Sequence, residues 1–547
     1  MAARPMVFEL HRLKVSLWIV WVGFASLWFA ASALYPLTEP DEGRYAEISR
    51  EMAVSGDWIT PRLDGFKYFE KPPLQYWATA ALYTVFGESE WTARAWSLAL
   101  AFLCIPLTFA WVKRFYDATA GWLSVAVLAS SPLFVIIGHL NLLDASFIFW
   151  VTAMVFAFTY AQLARPGSTS ERNGMLGAWL STALAVLTKG IVAPVLAGSS
   201  LLGYSLIQRD WRPWRRLHIG LGLPLALLVA APWFIVVSMR NPEFPYFFFL
   251  HEHFARFLTT AHNRMEPWWY FTVILAVGLM PWIADLPAAV RRSWLDRPPA
   301  GEFHPLRFLL VYAGVVLIFF SASRSKLAPY ILPLVPPLAT VIGIYVAERL
   351  ASLRRAAWIS AGAVAISAVG LLMYALRRYD VAPVTLLGWI LAAVLLASVA
   401  LLNIGLQKSL THNVAWLAAA SVLAWQCLLV AHGTPPLARS ARTLVAAVRP
   451  AVDAQTLLFS VGQYRQSVPP YLERTLTLVD YTGELSFGME QEPGLGTMSF
   501  GEFERQWGAS KNAVAFFDPE KWQALSSAGF PGRILGADRY SIAVSRQ

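Results

Sequence analysis

Apolar runs of about 20 residues recur along most of the chain, each set off by a short polar stretch. The spacing predicts membrane spans at about 14–35, 90–112, 118–137, 142–164, 174–188, 190–208, 217–239, 268–290, 306–322, 328–347, 357–376, 384–406 and 412–431, thirteen in all. The division at Thr188-Lys189-Gly190 is read as a tight turn between two spans. One kinked span is the alternative, and it would invert everything downstream. Ala31-Ser32-Ala33 has the form of a signal-peptidase site, but the apolar run before it is too long for an ordinary signal core.

Two stretches depart from this pattern. Just past the first span, Asp41 and Glu42 open a segment with Tyr45, Ile48 and Met52 on one helical face. Glu47, Arg50 and Glu51 lie largely on the other, and Gly56 stops it. A helix lying in the membrane interface is expected, within an interfacial region over 36–88. Thr38 followed three residues later by Asp41 is a capping-box variant, so a capping role for Asp41 stands beside any chemical one. The second departure is 433–547, whose composition is that of a soluble domain. Strands are expected at Thr456–Val461, Thr475–Asp480, Asn512–Phe517 and Ser541–Ser545, with helices near Gly501–Trp507 and Pro519–Ala528. The fold class is therefore an all-α polytopic membrane domain over 1–432, with an outer loop at 240–267, then a small soluble α/β domain.

Composition narrows the class further. The chain is 57% hydrophobic and only 14% charged, more apolar than a soluble core requires. A net charge of +10 invites a nucleic-acid reading, but the basic residues cluster in short loops between spans. With the N-terminus inside, those loops are inner ones: Lys113 and Arg114, Arg209 to Arg216, Arg291 and Arg292, Arg354 and Arg355. That is the positive-inside bias, so the cations serve topology and no nucleic acid is expected. Cys104 and Cys427 sit in apolar spans and imply no disulfide framework. No glycine-rich phosphate loop is present, which leaves a nucleotide site without support.

Under this topology the remaining ionisable residues gather on the outer face. They are Asp41, Glu42, Arg44, Glu47, Glu70, Lys71, His139, Asp144 and Lys189, then His251, Glu252, His253 and Arg256 in the outer loop, and Arg324 and Lys326. Charge at membrane depth is costly and tends to mark function. A carrier that flips lipid-linked sugars would place such groups at the midplane in two related halves, and neither feature shows. An outer-face cluster suits an enzyme acting on a lipid whose polar head lies at that surface.

Pro40-Asp41-Glu42-Gly43-Arg44-Tyr45-Ala46-Glu47, with Lys71-Pro72-Pro73-Leu74 and Trp77, resembles the lipid A 4-amino-4-deoxy-L-arabinose transferases. These belong with the polyprenyl-phosphate-sugar-dependent membrane glycosyltransferases that include the protein O-mannosyltransferases. The resemblance covers the membrane part. It implies a GT-C fold, an active site on the periplasmic face of the bacterial inner membrane, and inverting transfer from undecaprenyl phosphate to lipid A. The product would be a cationic lipid A that resists polymyxin-type peptides. Related transferases carry similar runs, so another sugar, or a glycan or protein acceptor, is the sibling reading. Membrane lipids are the surroundings, and a monomer is expected.

A sugar on a lipid phosphate leaves an anion behind, and cations aimed at that charge lower the barrier. Arg44, Lys71, Lys189, Arg256 and Lys326 are the candidates, with Tyr45 and Tyr68 as hydrogen-bonding helpers. Interfacial snorkelling is the bland alternative for each cation. Asp41 would act as general base toward a hydroxyl. Toward an already ionised phosphate it would orient the acceptor or pair with the sugar's amino group. Asp144 is the second carboxylate that the resemblance implies; a helix cap is its alternative. His251 and His253 with Glu70 raise the question of a divalent metal, zinc by donor type. An i,i+2 pair points one way only if extended, so His251 is the expected ligand.

Overall fold

The structure, a computed structural model, describes residues 17–255, 266–296, 302–349, 365–366, 368–374, 376–377, 382–405, 410–434 and 437–546. Its first elements are the helices Leu17–Phe29 (α1) and Asp41–Ser55 (α2), the hairpin strands Arg62–Leu63 (β1) and Phe66–Lys67 (β2), and Leu74–Phe86 (α3). Then come Glu90–Phe115 (α4), Ala118–Ser130 (α5), Pro132–Gly138 (α6), Leu143–Leu163 (α7), Thr169–Lys189 (α8) and Val192–Gln208 (α9). Apolar helices continue at Ile219–Arg240, Tyr270–Gly278, Pro305–Ala322, Val335–Glu348, Pro383–Gly405 and Leu410–His432. The expected span at 357–376 falls largely outside the described residues.

Among the described residues five helices are long and apolar enough to cross a membrane, or seven if two bent pairs each count as one. One bent pair is α5 with α6, which turn by 65° where Pro132 cannot continue the hydrogen-bond ladder. The other joins Tyr270–Gly278 to Trp282–Leu295 at 116°. Trp282 Nε1 donates to Ser130 Oγ at 2.7 Å and ties the two breaks together. The break expected at Lys189 is present: Gly190 takes φ 80° and ends α8.

The C-terminal part builds a six-stranded sheet in the order β5-β4-β3-β6-β8-β7. Its strands are Leu457–Val461 (β3), Thr477–Val479 (β4), Thr497–Met498 (β5), Ala513–Phe517 (β6), Arg533–Ala537 (β7) and Ile542–Ser545 (β8). β3 pairs in parallel with β4 and β6, while β8 runs antiparallel to β6 and β7. A Ser499–Glu502 capping box opens the helix Phe500–Ala509, and the Asp518 side chain with Pro519 opens Pro519–Ser527. Phe459, Val461, Phe503, Trp507, Phe517 and Trp522 form the core beneath.

This domain sits directly on α2 and the β1–β2 hairpin. Arg62 forks onto both Glu492 oxygens at 3.0 Å, Leu476 N donates to Asp64 Oδ1 at 2.7 Å, and Arg465 Nε donates to Glu39. A Cβ on Gly43 would meet the Gln466 carbonyl oxygen at 2.7 Å, so the backbones approach as closely as only glycine permits. The expected polar, water-facing side of α2 is therefore absent. Glu42, Arg44, Glu47, Ser49 and Arg50 are all buried, because the bundle covers one face and the C-terminal domain the other. Their charges are met internally, as where Glu47 takes Arg50 through both oxygens, at 2.6 and 2.7 Å.

Candidate active site

α2 begins at Asp41 without a side-chain cap. Thr38 donates from N at 3.0 Å and from Oγ1 at 2.8 Å, both to Glu42 Oε2. The role that the capping alternative gave Asp41 thus falls to Glu42, whose longer side chain reaches back over one turn. Asp41 instead accepts Arg44 Nη1 at 2.9 Å and keeps 34% of its side chain exposed. It is the open carboxylate of this helix start.

Arg44 lies between two carboxylates. Nη1 goes to Asp41, and Nη2 forms an ion pair with Glu484, a residue of the C-terminal domain. Gln466 Nε2 backs Glu484 at 2.5 Å. Arg44 Nε is buried with no hydrogen-bond partner among the described residues. Burial opposes the guanidinium's charge, but Tyr68, Glu484, Asp41 and Glu70 raise its pKa well above the usual value. Burial also pushes the Glu484 carboxyl up; Arg44 and Gln466 oppose that, while Glu70 and Asp41 add to it. Carboxylates outnumber the one guanidinium here.

Tyr45 and Tyr76 pack with ring centroids 5.9 Å apart. Burial raises the Tyr45 phenol well above its ordinary value, and the charge of Asp41 and then Asp144 adds to the effect. Tyr45 thus lies in the field of both carboxylates expected from the sequence. Tyr68 is buried beside Arg44, Glu70 and Glu484. Asp144 pairs with Lys189, whose ammonium lies 4.8 Å from the Tyr330 ring centre and 5.6 Å from that of Phe147. An ion pair, and not the alternative helix cap, is what Asp144 forms. Lys326 is buried four residues before Tyr330 in the chain, its Nζ donating to the Ser323 carbonyl at 2.7 Å.

Lys71 Nζ donates to the Glu70 carbonyl at 2.8 Å and stands 3.6 Å from Glu252 Oε2. His251 stacks on Phe247 and places Nδ1 3.7 Å from Glu252 Oε1. Among the described residues no three His, Cys, Asp or Glu side chains converge as a metal-binding set. The side chain of His253 and all of Arg256 lie outside the described residues.

Three features escaped the sequence reading. Glu484 and Gln466 arrive from over 400 positions away in the chain, beyond any spacing argument. The buried Glu42–Arg94 pair joins α2 to α4, with Arg94 Nε 2.7 Å from Glu42 Oε1. Below it, Gln75 Nε2 donates to Ser97 Oγ and Asn141 Oδ1, each at 2.9 Å, and Gln75 Oε1 accepts from Ser146. Four such polar residues within apolar surroundings were the available signal. His139 turned out to be structural: its ring nitrogens meet the Val135 and Trp28 carbonyls at 2.6 and 3.0 Å.

Residues 444–546 match the family described as the aminoarabinose transferase C-terminal domain, and residues 15–248 match dolichyl-phosphate-mannose-protein mannosyltransferase. A Pseudomonas aeruginosa protein named undecaprenyl phosphate-alpha-4-amino-4-deoxy-L-arabinose arabinosyl transferase is 37% identical over 338 residues, 60% of this chain. A protein of that name from Serratia proteamaculans is 31% identical over 340 residues. The match spans 59% of the length of the first of these relatives and 60% of the second. The crystal structure of ArnT from Cupriavidus metallidurans bound to undecaprenyl phosphate superposes with a TM-score of 0.86 at 30% identity, covering 98% of this chain and 99% of that one. The Archaeoglobus fulgidus oligosaccharyltransferase AglB, at 12% identity and a TM-score of 0.52, shares the fold.

Proposed function

The chain belongs to the aminoarabinose transferase family, and on that premise we propose that it moves 4-amino-4-deoxy-L-arabinose from undecaprenyl phosphate to a phosphate of lipid A. The observation that carries the reading is the convergence of Asp41, Arg44 and the Asp144–Lys189 pair at one end of a membrane bundle, beneath the C-terminal domain. In this reading the protein is a multi-pass inner-membrane monomer whose site faces the periplasm, a sidedness supported by the arginine-rich loops between other spans.

The chemistry asks for anion stabilisation above all. The undecaprenyl phosphate leaves as an anion, and Lys71, Lys189 and Arg44 are the nearby cations that would balance it. An acceptor phosphate is already ionised near neutral pH and needs no general base. Asp41 would orient it against the anomeric carbon, with inversion in one displacement. The test is direct: purified protein, the aminoarabinose donor and lipid A are incubated and the lipid analysed by mass spectrometry. One added aminoarabinose per modified phosphate is expected. Unmodified lipid A, with a different sugar or acceptor consumed, would overturn the assignment.

The same reading gives Glu70 and His251 a divalent metal, zinc by donor type. Glu70 precedes Lys71 and His251 precedes Glu252 in the chain, so both border the Lys71–Glu252 pair, and the imidazole is about half exposed. With no third donor among the described residues, the open positions would fall to substrate oxygens, where the metal would add positive charge. Metal analysis of the purified protein is expected to give about one equivalent, lost in Glu70→Ala and in His251→Ala. Unchanged metal content in both variants would remove the metal from the site.

A further inference from the structure

We propose that Glu484, supplied by the C-terminal domain, is the receptor for the donor sugar's ammonium group and sets the enzyme's preference for an amino sugar. The inference rests on the donor assigned above and goes on to name the residue that reads it.

The argument starts from charge. Asp41, Glu70 and Glu484 all act on the single guanidinium of Arg44, so the resident pair sits in an excess of carboxylate. A neutral sugar would leave that excess standing in a half-dry site, which is expensive. A donor head carrying both an ammonium and a phosphate has the complementary pattern. Arg44 can turn its charge to the phosphate while Glu484 takes the ammonium, so Glu484 exchanges one cation for another and is not left alone. Arg44 Nε, buried and without a partner among the described residues, offers a further donor for a phosphate oxygen.

Geometry supports the same assignment. Glu484 and Asp41 hold opposite nitrogens of one guanidinium, so the sugar would lie between the carboxylate at its reacting end and the carboxylate that reads its amine. Gln466 fixes Glu484 from behind, leaving Arg44 as the exchangeable partner. The approach that delivers both residues depends on the missing side chain at Gly43, where the Gln466 and Ser467 backbone would contact a Cβ at under 3 Å.

The experiment compares two donors on the same undecaprenyl phosphate carrier: the free amino sugar and its N-acylated, uncharged analogue. In the full-length protein the ratio of kcat/KM for amine over amide is measured. Glu484→Gln, of the same size, is expected to lower this ratio about tenfold or more by erasing the charge that selects the amine. Glu484→Asp, which keeps the charge, is expected to hold the ratio above that of the Gln variant. Glu492→Gln, at the Arg62 clamp of the same domain interface, is expected to leave the ratio alone. Equal losses on both donors in Glu484→Gln would make the residue an anchor and overturn the proposal, as would an unchanged ratio. A wild-type enzyme that prefers the amide would instead overturn the aminoarabinose reading itself.

Discussion

Asp41→Asn should lower transfer by about a hundredfold or more while the protein still extracts and runs as a single folded species. Asparagine keeps the size and one hydrogen-bonding oxygen of aspartate, so Arg44 Nη1 retains an acceptor. What the substitution removes is charge. At a helix start that charge contributes some tenths of a kcal/mol through the dipole, too little to unfold a membrane bundle. The structure also supplies a clean comparison. Thr38 bonds to Glu42 and not to Asp41, so Thr38→Ala weakens the start of α2 and leaves the candidate carboxylate untouched. It should cost about 1 kcal/mol of stability and retain transfer. Matching modest losses of rate and melting temperature in both variants would make Asp41 a helix-start residue and move the reacting carboxylate to Asp144.

Much of this could be read from the sequence because membrane spans and strands announce themselves by period. The break at Gly190, the strands β3, β4, β6 and β8 and the two expected C-terminal helices lie where the apolar pattern puts them, whereas the short helices Arg442–Val448, Val468–Leu472 and Ser486–Gln491 were not foreseen. β5 and β7 were missed for physical reasons: β5 has two residues, and β7 is a half-exposed edge strand that follows Pro531-Gly532. The polarity of α2 misled more seriously. Three and four residue spacing shows which face is apolar, but not that a separate domain, more than 400 residues on, covers the other. Glu484 and Gln466 were invisible for the same reason. The outer-face cluster itself was legible, since charge is so sparse elsewhere that Asp41, Arg44, Glu70, Lys71, Asp144 and Lys189 stood out. Which of them pair was not, because pairing depends on how α2, α7 and α8 come together.

Arg94→Met should cost about 3–5 kcal/mol, enough to lower the melting temperature of the detergent-purified protein by many degrees. Arg94 is fully buried in α4, and each of its donor nitrogens is used. Nε and Nη2 reach Glu42 at 2.7 and 3.0 Å, Nη1 meets the Ser32 and Tyr35 carbonyls at 2.8 Å, and Nη2 also meets that of Pro36 at 2.7 Å. Glu42 in turn accepts from Thr38 and from Asn141 N, so this one carboxylate binds the start of α2 to the segment that begins α7. Asp41 and Asp144 are thereby held in one frame. Burial alone would raise the Glu42 carboxyl, but Arg94 prevails and holds it below its usual 4.5. A depressed carboxylate stabilises the fold above its unfolded pKa, and that contribution is lost as the pH falls through the folded one. Without Arg94 burial is opposed only by the Thr38 and Asn141 hydrogen bonds, the carboxyl rises, and the sign reverses. The variant should therefore gain stability relative to wild type as the pH is lowered from 8 toward 5, since a proton then neutralises the stranded charge. Adding Glu42→Leu should recover much of the loss at pH 8 and flatten that pH dependence. A melting temperature for Arg94→Met that falls with acid in parallel with wild type would show that Glu42 finds another cation, and that α2 is not anchored through this pair.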